Sequence, residues 1–141
     1  MDIRPLTPNF AVSPQIDVAD IPAIIEAGYR CILCNRPDGE VMSEQQAATI
    51  QDAAEKAGLS FAFNPIENGA MTEGNVSLQA QTAIAAQGPV LAYCRSGTRS
   101  AAAWLLASAP ATPSEELLAA TEAAGYQLGA LKPQMDQLYT G

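Results

Sequence analysis

PVLAYCRSGTRSAAAWLLASA, residues 89–109, decides the fold because it joins a strand to a helix through a short polar loop. Its first five residues form a continuous apolar run of strand length. Residues 100–109 are apolar on every side of a helix, which indicates a helix in the interior. The loop between them begins with Cys94 and contains Gly97. This stretch therefore predicts one thiol at the point where a strand turns into a buried helix.

Three further apolar runs have the length of strands, and segments with helical periodicity separate them. The runs are NFAVS at 9–13, YRCILCN at 29–35 and LSFAFN at 59–64. The start and stop signals of the helices are Asp20 and Gly28, Ser43 and Gly58, Thr72 or Asn75 and Gly88, Ser114, and Pro133. Strands that alternate with helices in this order predict a parallel sheet with right-handed crossovers. We therefore expect one α/β domain over residues 1–141.

The helical periodicity also predicts which residues face the core. They are Ala47, Ile50, Ala54 and Ala57 in the second helix, Val76, Ala80, Ala83 and Ile84 in the third, and Leu117, Ala120, Ala124, Met135 and Leu138 towards the C-terminus. Ser43 and Gln46 have the spacing of a capping box, which predicts that the second helix begins there.

The composition excludes several classes of protein. The net charge of −8 opposes binding to nucleic acid or to anionic membranes, and no apolar stretch is long enough to cross a bilayer. The absence of histidine removes the commonest metal ligand and the commonest general base, so we expect no metal, no cofactor and no cysteine–histidine protease. Three cysteines, an odd number, argue against a disulfide framework, and MDIRPLTPNF lacks the layout of a signal peptide. The sequence predicts a soluble cytoplasmic protein.

Three of the seven basic residues follow the carboxyl ends of predicted strands. Arg36 follows the strand at 29–35, and Arg95 and Arg99 follow the strand that ends at Tyr93. Ligands of open parallel sheets collect at this edge. We therefore expect a local patch of positive charge that binds a small anionic substrate. Arginines that are simply solvated are the alternative for Arg36 and Arg95.

The loop after Cys94 has the composition of an anion-binding loop. Backbone N–H groups around Gly97, the start of the helix and the Arg99 guanidinium would favour the thiolate form of Cys94. Such a thiolate is a nucleophile without a histidine base, and the same donors would bind the oxyanions of the group it attacks. The loop also contains the hydroxyl groups of Ser96, Thr98 and Ser100, which we predict to bind substrate, and those of Thr98 and Ser100 could also hydrogen-bond the sulfur or the loop. An inert, buried cysteine before an ordinary turn is the alternative.

Cys31 and Cys34 form a CxxC pair inside a predicted strand. Redox pairs of this spacing lie at the start of a helix, and zinc sites usually need a second pair. Residues three apart on a strand point to opposite faces of a sheet. We therefore predict that both cysteines pack in the core.

The segment from Cys94 to Ser100 resembles two families of thiolate enzymes. Cysteine-dependent phosphatases have five residues between cysteine and arginine, whereas rhodanese sulfurtransferases have four, as here between Cys94 and Arg99. Over most of its length the chain resembles the phosphatase-like domains that are fused to, or encoded near, metallo-β-lactamase-fold proteins and are labelled phosphatase or sulfur transferase. The matching pieces are FAVSPQI, RPDGE at 36–40 and LAYCRSGTRSA.

This resemblance implies a dual-specificity-phosphatase-like fold, with a central parallel sheet, helices on both sides and the thiolate loop at the carboxyl edge. It also implies a metallo-β-lactamase-fold partner protein. Tyr93 departs from the phosphatases, which usually have histidine before the cysteine. The loop is one residue shorter than theirs, and the smaller concavity should suit a single sulfur or a sulfonate end better than a phosphate dianion.

A phosphatase also needs an acid to protonate the leaving oxygen. The candidate is Glu67 in NPIENG, with Asp38 and Glu40 of the RPDGE turn as competitors. A solvated loop carboxylate is the alternative for Glu67, and a plain turn is the alternative for Asp38.

Three functions follow from these residues. The first is a sulfurtransferase in which Cys94 carries sulfur from a donor as a persulfide held by the loop and Arg99. The second is a phosphatase that acts through a phosphocysteine intermediate. The third is an anion-binding module without catalytic activity. The sequence favours the first because sulfite and thiolate leave without much help from an acid.

Overall fold

Five short strands form one sheet in the centre of the molecule, whose computed structural model describes residues 1–141. The strands are β1 (Arg4–Thr7), β2 (Phe10–Ser13), β3 (Cys31–Cys34), β4 (Ser60–Phe63) and β5 (Val90–Tyr93). Their order is β1-β2-β5-β3-β4, and all neighbours run parallel except β1 and β2. The predicted α/β fold is confirmed, and β5, which leads to Cys94, is the central strand.

Six helices cover both faces of the sheet. They are α1 (Ile21–Glu26), α2 (Ala47–Lys56), α3 (Glu73–Ala85), α4 (Thr98–Ser108), α5 (Ser114–Ala123) and α6 (Lys132–Leu138). One apolar cluster joins the sheet to α1 and α2, and the other joins it to α4, α5 and α6, with α3 packed against its edge. Residues of β5 alternate between the clusters, as the period of a strand requires: Ala92 belongs to the second and Tyr93 to the first.

The two cysteines of the CxxC pair follow the same alternation. Cys31 packs in the cluster with α4, α5 and α6, and Cys34 packs in the cluster with α1 and α2. Both are buried, and burial raises the pKa of each thiol. The predicted core role of both residues is confirmed.

Strand β1 is not predicted by the sequence pattern. It is four residues long, lies at the edge of the sheet and runs antiparallel to β2. Pro5 interrupts the apolar pattern, but an edge strand tolerates proline because one side of it has no partner. The sheet is therefore mixed rather than wholly parallel.

The start of α2 differs from the prediction. The segment Ser43–Gln45 forms a separate 3-10 turn, and α2 begins at Ala47 without a capping box. A carboxylate oxygen of Asp38 accepts a hydrogen bond from the Ala47 N–H at 2.7 Å. Ala57 lies beyond the end of the helix and is exposed. Asp38, rather than Ser43, therefore accepts a hydrogen bond from a free N–H group at the start of α2.

The inward face of α3 also differs from the prediction. Thr72, the first of the two predicted start signals, caps the helix. Ala83 and Ile84 were expected in the core, but both are exposed, and Ile84 retains 84% of its accessible surface. Gln79 is the buried residue instead, and its side chain accepts a hydrogen bond from Asn35 and donates one to the Ser100 carbonyl.

No helix in the molecule is long and apolar enough to cross a bilayer.

Candidate active site

Cys94 lies at the carboxyl end of the central strand and is 1% exposed. Its N–H donates to the carbonyl of Ser13 at 3.4 Å, and the Asn35 N–H donates to the carbonyl of Tyr93 at 2.8 Å. These bonds tie the end of β5 to the ends of β2 and β3. We call residues 94–99 the Cys94 loop. The sheet therefore fixes the first residue of this loop from both sides.

The backbone of the Cys94 loop directs one amide group at the sulfur and leaves several others without an acceptor. The Gly97 N–H donates to the Cys94 sulfur at 3.2 Å. Gly97 has φ of 96°, which favours glycine, and α4 begins directly after it at Thr98. Free N–H groups that find no acceptor in the protein belong to Arg95, Ser96, Arg99 and Ser100. A short loop with free N–H groups at the start of a helix binds anions.

Arg99 is held in place by two partners from distant parts of the chain. Its guanidinium donates to the carboxylate of Glu40 at 2.7 and 2.8 Å and to the carbonyl of Ile66 at 2.7 Å. The Glu40 hydrogen bond raises the pKa of Arg99, and the Cys94 sulfur adds to this effect when it is ionised. The side chain is only 12% exposed. Arg99 therefore lies near the sulfur in a fixed orientation.

Glu40 links two of the three arginines of the site. Its carboxylate accepts from Arg99 and, at 3.3 Å, from Arg36. The Arg99 hydrogen bond, assisted by the charges of Arg99 and Arg36, lowers the pKa of Glu40. A carboxyl group with a lowered pKa is ionised at neutral pH and is a poor proton donor. Glu40, which competed with Glu67 as the acid, acts here as the group that orients Arg99.

The other two acid candidates lie in different places. Asp38 is bound to the N-terminus of α2 and does not line the cleft around the Cys94 loop. Glu67 is exposed in the segment after β4, next to Ile66, whose carbonyl holds Arg99. Its carboxylate has no hydrogen-bond partner in the protein. Glu67 does not line the cleft either, but its chain neighbours touch the site: the Ile66 carbonyl binds Arg99, and Asn68 lines the cleft.

Ser100 is buried behind the Cys94 loop rather than exposed to substrate. Its hydroxyl oxygen accepts from the amide of Asn35 at 3.0 Å, and its carbonyl accepts from Gln79 at 3.1 Å. Asn64 donates to Asn35 in the same network. The network joins the ends of β3 and β4 to α3 and to the first turn of α4. Asn35 and Asn64, the polar residues that end two apolar runs, are the signal that could have revealed it.

The cleft over the Cys94 loop has a volume of about 780 Å³ and no hydrophobic lining. Its lining residues are Arg36, Glu40, Asn68, Arg95, Ser96, Thr98 and Arg99. The hydroxyl groups of Ser96 and Thr98 lie 3.0 Å apart. The structure thus brings most of the predicted binding residues together, and it adds Asn68, which the sequence pattern did not single out.

Tyr126 supports the Cys94 loop from the side of α5. Its hydroxyl donates to the carbonyl of Ser96 at 2.9 Å. The Arg4 guanidinium lies over its ring at 5.1 Å from the centroid and binds the carbonyl of Ala124. Tyr126 also fills the space beside Gly97, where a β-carbon would collide with the phenol. A residue far along the chain therefore fixes the loop conformation.

Tyr93 lies apart from this cleft. Its side chain packs in the apolar cluster with α1 and α2, and burial raises its pKa far above the ordinary range. Its hydroxyl is buried without a hydrogen-bond partner. The residue that stands in place of the usual phosphatase histidine is therefore part of the core.

The model of one protein family, the phosphatase-like domain of the beta-lactamase hydrolase-like protein, matches residues 2–111. The chain belongs to this family. A beta-lactamase hydrolase-like protein from Agrobacterium fabrum is 31% identical over 101 residues, which are 72% of this chain and 23% of that protein. A Xylella fastidiosa protein of the same name is 32% identical over 99 residues. The chain therefore spans about a quarter of the length of these curated relatives.

Solved structures support the fold of this phosphatase-like domain. A proposed phosphatase from Neisseria meningitidis Z2491 is 34% identical, has a TM-score of 0.84, and the match covers 98% of this chain and 99% of that one. The catalytic domain of the S. cerevisiae PP-IP phosphatase SIW14 has a TM-score of 0.68 at 12% identity, covering 99% of this chain and 85% of that one. PTPMT1 has a TM-score of 0.77 at 13% identity. The predicted cysteine-phosphatase-like fold is confirmed.

We expect Glu40→Gln to lower kcat/KM about tenfold, because the amide holds the Arg99 guanidinium less firmly and a small displacement of a catalytic group is costly. Since the folded-state pKa of Glu40 is lowered, its stabilising effect is present above the ordinary value of 4.5 and is lost as the pH falls through the folded-state value. Urea unfolding should show the variant less stable at neutral pH and equally stable in strong acid. Equal stability at neutral pH would contradict this role.

We expect Tyr126→Phe to lower kcat/KM several-fold and the free energy of unfolding by about 1 kcal/mol, because the Ser96 carbonyl loses its hydrogen bond while the ring keeps its place. Tyr139→Phe, at an exposed tyrosine, is the matched control and should change neither. The rate of Cys94 alkylation by iodoacetamide reports the loop conformation directly. A stability loss with unchanged activity and alkylation would show that Tyr126 is only structural.

Proposed function

We propose that this phosphatase-like domain is a cysteine-dependent phosphatase that forms a phosphocysteine intermediate at Cys94. The observation that carries the proposal is the Cys94 loop, where the Gly97 N–H contacts the sulfur, further N–H groups have no acceptor and Glu40 orients Arg99. Such donors stabilise the charge of a transferring phosphoryl group. The family and the fold of the structural neighbours support a phosphatase over a sulfurtransferase.

The proposed reaction has two steps. The Cys94 thiolate attacks phosphorus, the bond from phosphorus to the ester oxygen breaks, and the leaving oxygen takes a proton. Water then attacks the phosphocysteine, the sulfur–phosphorus bond breaks, and inorganic phosphate and the thiolate are released. Arg99 and the loop N–H groups bind the three equatorial oxygens in both steps. We propose Glu67 as the acid, because it is exposed and lies in the chain between Ile66, which binds Arg99, and Asn68, which lines the cleft.

Sulfur transfer is the second candidate, and the loop length favours it. Four residues separate Cys94 from Arg99, as in rhodaneses. In this reaction the thiolate attacks the outer sulfur of thiosulfate, the sulfur–sulfur bond breaks and sulfite leaves. An acceptor thiolate or cyanide then takes the outer sulfur and releases the Cys94 thiolate.

Parallel assays on one preparation test these candidates. Phosphate release from para-nitrophenyl phosphate and from an alkyl phosphate is compared with thiocyanate formation from thiosulfate and cyanide. The proposal predicts phosphate release that depends on Cys94, and Glu67→Gln should slow the alkyl ester more than the aryl ester, whose leaving group needs no acid. Thiocyanate formation without phosphate release would contradict the phosphatase and favour the sulfurtransferase. If neither product forms, the anion-binding module without catalytic activity is the function that remains.

A metallo-β-lactamase-fold partner also remains a proposal. The description of the family as beta-lactamase hydrolase-like and the greater length of the curated relatives support it. Co-expression with the remaining part of the A. fabrum relative, followed by size-exclusion chromatography, tests the association. Separate elution of the two proteins would contradict it.

A further inference from the structure

Arg95 differs from every other basic residue of the chain. Its guanidinium is exposed and has no hydrogen bond or ion pair in the protein, although the net charge is −8 and carboxylates are abundant. The other six basic side chains all have partners; they are Arg4, Arg30, Arg36, Lys56, Arg99 and Lys132. One unpaired guanidinium therefore lies in the wall of the cleft, on the residue that follows Cys94.

The cations of the cleft divide into two groups. Arg36 and Arg99 are both bound to Glu40, which balances part of their charge and holds Arg99 near the Cys94 sulfur. The loop N–H groups and Arg99 are sufficient donors for one phosphoryl group. Arg95 is not needed for that group and is free to bind another anion.

The remaining lining of the cleft is hydrophilic. It offers the Asn68 amide and the hydroxyl pair of Ser96 and Thr98, and it contains no apolar or aromatic side chain. An aromatic ring gains affinity by burying a large apolar area, which this cleft cannot provide. A substrate rich in hydroxyl groups can instead hydrogen-bond to these side chains, and about 780 Å³ is ample for a sugar-sized molecule.

We propose that Arg95 is a second anion subsite and that the substrate is a small, hydroxyl-rich phosphomonoester with a further anionic group, rather than a phosphotyrosine peptide. This inference rests on the proposed function, because it assigns the reacting phosphate to the Cys94 loop. Arg95 then binds the second anion, which is either a carboxylate or another phosphate. Arg95 determines specificity, and Arg99 serves the reacting group.

The test measures binding and turnover separately with three probes. Fructose 6-phosphate carries one anionic group, 6-phosphogluconate adds a carboxylate, and fructose 1,6-bisphosphate adds a phosphate. Calorimetry with Cys94→Ser gives affinities without chemistry, and phosphate release by the protein with Cys94 intact gives kcat and KM. Each measurement is repeated with Arg95→Gln and with Lys56→Gln, which removes the same charge from an exposed pair on α2.

We expect the probes with two anionic groups to bind roughly tenfold more tightly than fructose 6-phosphate, the size of one charge-assisted hydrogen bond at a solvated site. Arg95→Gln should remove this preference through KM and reduce the salt dependence of binding. Lys56→Gln should retain the preference. A comparison of the two probes that carry a second anion then shows whether a carboxylate or a phosphate is preferred.

Two outcomes separate this inference from the proposed function. If phosphate is released but all three probes behave alike, or Arg95→Gln weakens them equally, the subsite is wrong and the phosphatase stands. If no phosphate is released but Cys94→Ser still shows a preference that depends on Arg95, the phosphatase is wrong and the subsite stands. Failure of all three probes to bind would overturn the subsite, because no preference would then exist.

Discussion

Cys94→Ser is expected to abolish phosphate release, with kcat at least about a thousandfold lower, because it removes the covalent intermediate. A serine hydroxyl needs a base to ionise it, and the chain contains no histidine. The loop N–H groups that bind oxyanions belong to the backbone and remain in the variant. The variant should therefore still be stabilised thermally by inorganic phosphate.

Cys31→Ala is the matched control for the loss of a thiol. Cys31 is buried in the cluster with α4, α5 and α6 and lies in β3, away from the cleft. We expect this variant to lose some stability through a small cavity and to keep its kcat. Phosphate release that survives in Cys94→Ser would show that Cys94 is not the nucleophile.

Gly97→Ala should have the second largest effect, lowering the free energy of unfolding by roughly 2 to 5 kcal/mol and removing most activity. The φ of 96° strains any residue with a β-carbon, and the new methyl group would also collide with the phenol of Tyr126. The loop cannot relax without moving the N–H that donates to the Cys94 sulfur. Urea unfolding and steady-state kinetics measure the two effects.

Gly58→Ala separates backbone strain from the collision. Gly58 has φ of 92°, but a β-carbon there would meet nothing within 4 Å. It follows α2 and lies away from the cleft. We expect the free energy of unfolding of this control to fall by about 1 to 2 kcal/mol and its activity to stay unchanged. Equal destabilisation by both substitutions would contradict the support that Tyr126 gives to the loop.

The sequence predicted the centre of the fold well, because β5, the Cys94 loop and α4 are adjacent in the chain. Their apolar patterns and Gly97 are local signals, and local signals are what a single sequence contains. The edge strand β1 was not predicted because Pro5 breaks its apolar pattern. Its extended conformation depends on pairing with β2, which the local sequence does not show. The outward position of Ile84 was not predicted because the buried face of α3 contains Gln79, a polar residue whose hydrogen-bond partners lie on other elements.

The site was predicted where its residues lie on one loop and missed where they converge from elsewhere. Arg99 and its neighbours were predicted from their place after a strand, the composition of the loop and the family resemblance. The role of Glu40 was not, because its partner lies 59 residues further along the chain. Tyr126 reaches the loop from beyond α5. Ser100 was expected at the substrate, but the network around Asn35 draws it into the interior.

Trapping of the covalent intermediate tests the central claim most directly. The protein is mixed with para-nitrophenyl phosphate, denatured within the first turnover, digested and weighed by peptide mass spectrometry. The account predicts one phosphoryl group on the peptide that contains Cys94, present during turnover and absent after the substrate is exhausted. Turnover without any adduct on this peptide, together with undiminished activity of Cys94→Ser, would contradict it.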